Sequence, residues 1–109
     1  TKFLIEKQNT PLGELVFELI LFKEGKNTGP HIHPRFMLDK IIEGELQETL
    51  FTPCEGGYQR EKIVSRKHGE NRAICCPHCF PHDVKAINGN CLSLSMTLGE
   101  QDGEYIDVV

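Results

Sequence analysis

The chain has 109 residues, of which 39% are hydrophobic and 26% charged, and its formal net charge is -4. This size predicts a single domain over residues 1–109, and the ordinary composition excludes an intrinsically disordered chain. The longest apolar run, residues 15–22, contains Glu18 and is too short to span a bilayer. Because no stripe of Lys and Arg is present, we expect neither nucleic acid nor a membrane as the main partner, which leaves a small-molecule ligand or another protein.

The cysteines and the first residues of the sequence predict a cytoplasmic location. The sequence does not open with a basic region followed by an apolar stretch, which is typical of a secretory signal. The five cysteines are odd in number, and Cys75, Cys76 and Cys79 crowd into one short stretch. This pattern favours reduced thiols over a disulfide framework.

Alternating apolar and polar residues, interrupted by turn signals every eight to twelve residues, predict an all-β protein. Asn88-Gly89 is the strongest hairpin signal, because both residues tolerate a positive φ, and Gly44 is a second predicted turn. The nine predicted strands are Lys2–Lys7, Glu14–Lys23, Phe36–Glu43, Glu45–Thr52, Tyr58–Ser65, Arg72–Cys76, Asp83–Ile87, Leu92–Leu98 and Glu104–Val108.

So many short strands are expected to close into a barrel or a sandwich, since an open sheet would leave long unpaired edges. The first and last predicted strands, Lys2–Lys7 and Glu104–Val108, are the expected sheet edges and carry exposed apolar residues. We therefore expect the chain to form a homodimer that hides these edges across a two-fold axis.

Three histidines form a candidate metal site. His31 and His33 are two residues apart, so in an extended chain both imidazoles point to the same face and can bind one ion. Met37 falls on the same face by parity. His82 follows a turn-like segment, residues 77–81, that would return the chain to the same end of the barrel. Three neutral imidazoles would leave coordination positions open for a substrate or for oxygen.

The spacing of these residues resembles the two cupin motifs. The first is Gly25-(x)5-His31-x-His33 with Gly44 following, and the second is Pro77-x-Cys79-x-x-His82. The resemblance implies an all-β cupin fold, a double-stranded β-helix or jelly-roll barrel, with a divalent metal ion on His31, His33 and His82. Cupins usually place an acidic ligand where this chain has Met37.

Within the cupins, residues 19–51 are most similar to the thiol dioxygenases, the cysteine dioxygenase family, above all over residues 40–51, KIIEGELQETLF. Members of that family hold a mononuclear Fe(II) on three histidines without a carboxylate. The resemblance therefore implies an Fe(II)-dependent oxygenase that acts on a small molecule. Zinc, manganese or nickel remain alternative metals, with either an isomerase or hydrolase activity or a non-catalytic ligand-binding or sensor function.

Four further residues are candidates for the pocket or for supporting the ligands: Met37, Asp39, Cys76 and Thr97. The cysteine and tyrosine that are crosslinked in cysteine dioxygenases align with Met37 and Thr97, which makes cysteine itself a doubtful substrate. We expect Met37 to pack in the barrel, because thioether sulfur is a soft, weak ligand. Asp39 could accept a hydrogen bond from an imidazole, or have a solvated or structural role.

The cysteine cluster allows a competing hypothesis. Cys76-x-x-Cys79-x-x-His82 has the spacing of a structural zinc knuckle, with Cys54, His68 or Cys91 as the remaining ligand. The sequence has no second Cys-x-x-Cys pair, so this signal is weak. The alternative for these thiols is that Cys75 or Cys76 fills the barrel as a small hydrophobic residue and Cys79 occupies a turn.

Overall fold

The computed structural model describes residues 1–32, 37–67, 69, 71–74, 81–98 and 104–109. These residues form an all-β structure, as the sequence predicts. The eight strands are β1 (Lys2–Thr10), β2 (Gly13–Phe22), β3 (His31–Ile32), β4 (Met37–Cys54), β5 (Gly57–Lys67), β6 (Asn71–Ile74), β7 (His82–Leu98) and β8 (Glu104–Tyr105).

All eight strands belong to one antiparallel sheet that curls into a half-barrel. The hydrogen-bonded order is β1-β2-β7-β3-β8, and β4 pairs with β5, β6 and β7. Strand β7 is central, because its second half lies between β2 and β4 and its first half lies between β3 and β4. The described residues contain no helix long and apolar enough to cross a membrane.

Two predicted turns are wrong. Gly44 does not separate two strands, since β4 runs without a break from Met37 to Cys54. Asn88-Gly89 does not form a hairpin, since β7 continues through it from His82 to Leu98. The other predicted strands are found with their described ends shifted by up to three residues, and the predicted strand end at residues 75–76 lies outside the described residues. The short strand β3 was not predicted.

The positive φ angles at these positions bend the two long strands instead of reversing them. Asn88 and Gly89 have φ angles of 58° and 113°, and Gly44 on the facing strand has φ 92°. A Cβ on Gly44 would run into the carbonyl oxygen of Asn90 and lie 2.9 Å from the Cα of Cys91. The bend therefore depends on a β-bulge in β7 packed against a glycine in β4, which allows both strands to turn the corner of a barrel together.

The concave face of the sheet carries the buried core. One cluster consists of Ile41, Leu46, Ala86 and Cys91, and Phe22 packs against it. A second cluster, Ile20 with Met37, also contacts Phe22. The concave face also carries buried polar residues: Asp39 and Glu48 on β4, and Ser93, Ser95 and Thr97 on the second half of β7.

Candidate metal centre

The segment before His31 is hydrogen-bonded along the first half of β7. The Gly25 N–H donates to the Ala86 carbonyl oxygen and the Thr28 N–H donates to the Val84 carbonyl oxygen, both at 2.9 Å. This pairing delivers the two-residue strand β3 to the end of β7, where His31 lies directly opposite His82. Because residues that face each other in an antiparallel pair project on the same side, both imidazoles enter the barrel.

His31 and His82 meet through their Nε2 atoms. The two nitrogens lie 3.1 Å apart, and the ring centroids are 4.6 Å apart with a 60° angle between the planes. Both residues are buried, with exposed fractions of 7% for His31 and 3% for His82. The pair is therefore shielded from bulk water.

The other nitrogen of His82 is held by Glu48. The Nδ1 of His82 lies 2.7 Å from the Oε2 of Glu48, and both side chains are 3% exposed. The second carboxylate oxygen of Glu48 lies 3.6 Å from Nη2 of Arg66. A carboxylate oxygen accepts hydrogen bonds, so an ionised Glu48 holds the proton of a neutral His82 on Nδ1.

The other nitrogen of His31 is held by the backbone of the preceding loop. Nδ1 of His31 lies 2.7 Å from the carbonyl oxygen of Gly29, which can only accept. The N–H of Gly29 in turn donates to Oδ1 of Asp83 at 3.0 Å, and Asn27 Nδ2 donates to Oδ2 of the same carboxylate at 2.9 Å. Asp83 thereby fixes the carbonyl that orients His31.

These contacts leave a lone pair on each of the two facing Nε2 atoms. Two acceptors at 3.1 Å repel each other unless a cation lies beside both or a proton lies between them. Two imidazoles that bind one metal at about 2.0–2.1 Å in neighbouring coordination positions have nitrogens roughly 3.0–3.4 Å apart. The separation of the two Nε2 atoms fits a shared metal ion.

The third predicted ligand, His33, lies outside the described residues. Within the described part of the chain, no group of three or more His, Cys, Asp or Glu side chains is placed to hold a metal ion. The structure thus brings together His31 and His82, and His33 as the third ligand stays a prediction from the sequence.

Met37, the first residue of β4, lies opposite Thr97 of β7. Both are buried, and Met37 packs against Ile20 in the apolar cluster. Asp39 is only 3% exposed and lies opposite Ser95, so a solvated role for it is wrong. The structural and supporting roles for Asp39 remain open.

The described residues do not include Cys75, Cys76, His78, Cys79 and His68. The pocket position of Cys76 therefore stays a prediction. Two other members of the zinc-knuckle hypothesis are described: Cys91 is buried in the apolar cluster with Ile41, and Cys54 ends β4. The Nε2 atom of His82 faces Nε2 of His31, while neither described cysteine is grouped with His82 at a metal site. This arrangement favours the histidine site over the knuckle.

Glu48 and Asp83 were not predicted as site residues. Glu48 lies two residues after the buried Leu46, so parity alone places its carboxylate on the inner face of β4. An acidic residue at an inward strand position is a signal that a buried partner is present, because an isolated buried charge is costly. Asp83 adjoins His82 but projects to the opposite face of β7. An acidic residue on that face does not indicate a buried partner.

No family model matches the chain, and no curated protein matches its sequence. Solved structures do match its fold. A cupin superfamily protein from Desulfitobacterium hafniense aligns with a TM-score of 0.64 at 15% identity, over 92% of this chain and 77% of that chain. A cupin-2 domain protein from Shewanella frigidimarina aligns with a TM-score of 0.65 at 18% identity, over 88% of this chain and 78% of that chain.

Some similar structures are larger proteins with named activities. A DMSP lyase from Ruegeria pomeroyi aligns with a TM-score of 0.58 at 20% identity, over 79% of this chain and 39% of that chain. An oxalate decarboxylase from Lactobacillus farciminis aligns with a TM-score of 0.59 at 20% identity, over 77% of this chain and 23% of that chain. Identities this low establish the fold alone. The curled antiparallel sheet and these structural matches together show that the chain has the cupin fold.

Proposed function

We propose that the chain is a metal-dependent cupin that binds one divalent ion through His31, His82 and His33 and oxidises a small molecule with O2. The observation that carries the metal site is the 3.1 Å approach of the two Nε2 atoms, with both Nδ1 atoms engaged elsewhere. The choice of an oxygenase is supported by the sequence resemblance to three-histidine Fe(II) enzymes.

The residues of this chain prepare the ligands before any ion arrives. Glu48 and the Gly29 carbonyl keep the protons on the Nδ1 atoms, so that the Nε2 lone pairs point into the barrel. Burial of both rings excludes water that would otherwise compete for those lone pairs. When bound, Fe(II) would supply redox chemistry and open coordination positions for a substrate and O2.

The interior of the barrel also supports a polar ligand. Asp39, Ser93, Ser95 and Thr97 are buried on the inner faces of β4 and β7. Oγ of Ser95 makes no hydrogen bond to any described residue. Buried hydroxyl and carboxylate groups beside apolar side chains are typical of pockets that orient a small molecule. We therefore propose a small polar substrate, such as a thiol that lacks a carboxylate.

The test starts from protein purified without an affinity tag, in which bound metals are measured by mass spectrometry. Iron-loaded protein is then given small thiols with and without a carboxylate while oxygen uptake is recorded. We expect about one equivalent of metal per chain and iron-dependent oxygen uptake. His82→Ala should lose both, and the absence of metal from the purified and the reconstituted protein would refute the proposal.

A Lewis-acid enzyme is the second candidate, because two of the similar structures are by name a lyase and a decarboxylase. Turnover without oxygen on a redox-inert ion such as Zn²⁺ would favour it. Ligand binding without turnover under any of these conditions would indicate a sensor or binding module.

A further inference from the structure

The short strand that carries His31 has a second neighbour besides β7. On its other side β3 pairs with β8, where Tyr105 lies opposite His31. The Ile106 N–H extends this pairing, since it donates to the Pro30 carbonyl oxygen at 3.1 Å. The backbone of His31 is therefore held between the long strand β7 and the short strand β8.

Tyr105 also contacts the residue that orients the His31 ring. Its aromatic ring packs so closely against Gly29 that a Cβ added there would lie 2.9 Å from Cε1 of Tyr105. Gly29 has a φ of 90°, a conformation that glycine adopts far more easily than other residues. Its carbonyl oxygen lies 2.7 Å from Nδ1 of His31. The tyrosine ring therefore limits how far this carbonyl can turn away from the imidazole.

The residues that follow Tyr105 are attached to a different strand. The Tyr58 N–H, near the start of β5, donates to the Asp107 carbonyl oxygen at 3.0 Å, and the Val109 N–H donates to the Tyr58 carbonyl oxygen at 2.9 Å. We call residues 104–109 the strap, because they join β3 to β5. Since β3 also pairs with β7, β7 with β4 and β4 with β5, the strap closes a ring of hydrogen-bonded segments.

Little side-chain burial holds the strap in place. Ile106 is half-buried and the other five residues of the strap are exposed, including Tyr105 at 77% and Val109 at 68%. The strap is thus held mainly by backbone hydrogen bonds at its two ends. Segments with few buried apolar contacts open locally at a lower free energy than the rest of a fold. The strap is therefore an element that can detach while the long strands stay folded.

We infer that attachment of the strap and binding of a metal ion at His31 stabilise each other, with Tyr105 as the positioning residue. The inference rests on the metal site proposed above. With the strap attached, the Gly29 carbonyl holds the ring so that its Nε2 atom faces His82. With the strap detached, β3 keeps only its pairing with β7, and the ring gains freedom that an incoming ion must remove again.

This coupling acts in both directions. The apparent metal affinity of the chain falls in proportion to the fraction of molecules whose strap is attached, because only those molecules present a fixed His31 ring. Thermodynamic linkage then requires that a bound ion favours the attached strap by the same factor. The strap thereby makes the metal site depend on contacts at Tyr58, which lies on a strand that carries none of the proposed ligands.

The first test titrates the chain and its variants with Co²⁺, so that the result does not depend on any oxygenase activity. Tyr105→Ala removes the ring from Gly29, and Co²⁺ affinity should fall about 10- to 100-fold, as it does when a group that orients a ligand is lost. Tyr105→Phe keeps the ring and should restore the affinity of the unchanged chain.

A second pair of variants acts on the far end of the strap. In Gly57→Ala the added Cβ would lie 2.7 Å from the Asp107 carbonyl oxygen, so the strap has to move away. Gly56→Ala is the matched control, because its φ is also positive but the nearest atom to its Cβ, Cγ1 of Val109, lies at an ordinary 3.6 Å. We expect Gly57→Ala to weaken Co²⁺ binding about fivefold or more and Gly56→Ala to leave it unchanged.

Amide hydrogen exchange of the unchanged chain measures the reverse direction and stays decisive even if a variant fails to fold. Co²⁺ should slow exchange at Tyr58, Ile106 and Val109, whose N–H groups attach the strap, about fivefold or more, and leave the amides shared by β1 and β2 unchanged. Exchange in the strap that ignores the ion would overturn the inference and leave the metal site in place. So would unchanged Co²⁺ affinity in both Tyr105→Ala and Gly57→Ala. An unchanged chain that binds no Co²⁺ would instead overturn the site and the coupling together.

Discussion

His31 and His82 point their Nε2 atoms at each other across 3.1 Å, although they lie 51 residues apart in the chain. The Nδ1 of each ring is held by a different acceptor, Gly29 or Glu48, at 2.7 Å. Each ring is thus held at its Nδ1 atom, and its Nε2 atom faces the other ring.

Removing one ring should abolish metal binding without unfolding the protein. We expect His82→Ala and His31→Ala each to reduce affinity for Co²⁺ or Fe²⁺ by far more than the 10- to 100-fold that typically follows loss of a supporting residue. The fold should persist, because the apolar clusters around Leu46 and Met37 do not include either ring. Metal titration and circular dichroism measure the two effects. Full metal content in His82→Ala would contradict the site.

Glu48 is expected to act on the metal through His82. In Glu48→Ala the Nδ1–H of His82 loses its acceptor, so the ring is no longer held in one tautomer, and metal affinity should fall about 10- to 100-fold. Glu48→Gln keeps an acceptor oxygen, so its metal affinity should fall less. The absorption spectrum of bound Co²⁺ should broaden in the alanine variant only. Equal affinities in all three proteins would mean that Glu48 merely neutralises Arg66.

Met37 is expected to contribute packing and not ligation. Met37→Leu conserves volume and should cost less than about 1.5 kcal/mol of unfolding free energy, with unchanged metal affinity. Met37→Glu places a carboxylate in the apolar cluster with Ile20 and should destabilise the fold by several times as much. Urea unfolding of both variants measures the change in unfolding free energy, and metal titration measures the change in affinity. A large loss of metal in Met37→Leu would make the thioether a ligand.

Gly44 is expected to be essential for the bend of β4. Gly44→Ala adds a Cβ that meets the backbone of Asn90 and Cys91, and also strains a φ of 92°. We expect a loss of at least about 3 kcal/mol of unfolding free energy, because backbone strain alone costs about 1–3 kcal/mol. Gly89→Ala is the matched control, since its φ is 113° but nothing lies within 4 Å of the added Cβ. Equal losses in urea unfolding would rule out the steric contact as the cause.

The sequence by itself determined the all-β class, most strand positions and two of the residues that meet in the candidate site. These features follow from the two-residue period of a strand, which can be read locally. His31 and His82 could be named because their spacing from nearby glycine and proline matches cupin motifs. His33 remains predicted on the same grounds.

Only the tertiary structure decided how the strands bend and what holds the histidines. Positive φ at Asn88 and Gly89 suits a hairpin or a bulge equally well, and the continuous pairing of β7 with β4 selects the bulge. Glu48 reaches His82 across 34 residues, and Asp83 reaches Gly29 across 54. Such partners depend on strand register, which is set by the packing of the whole sheet and not by any local pattern.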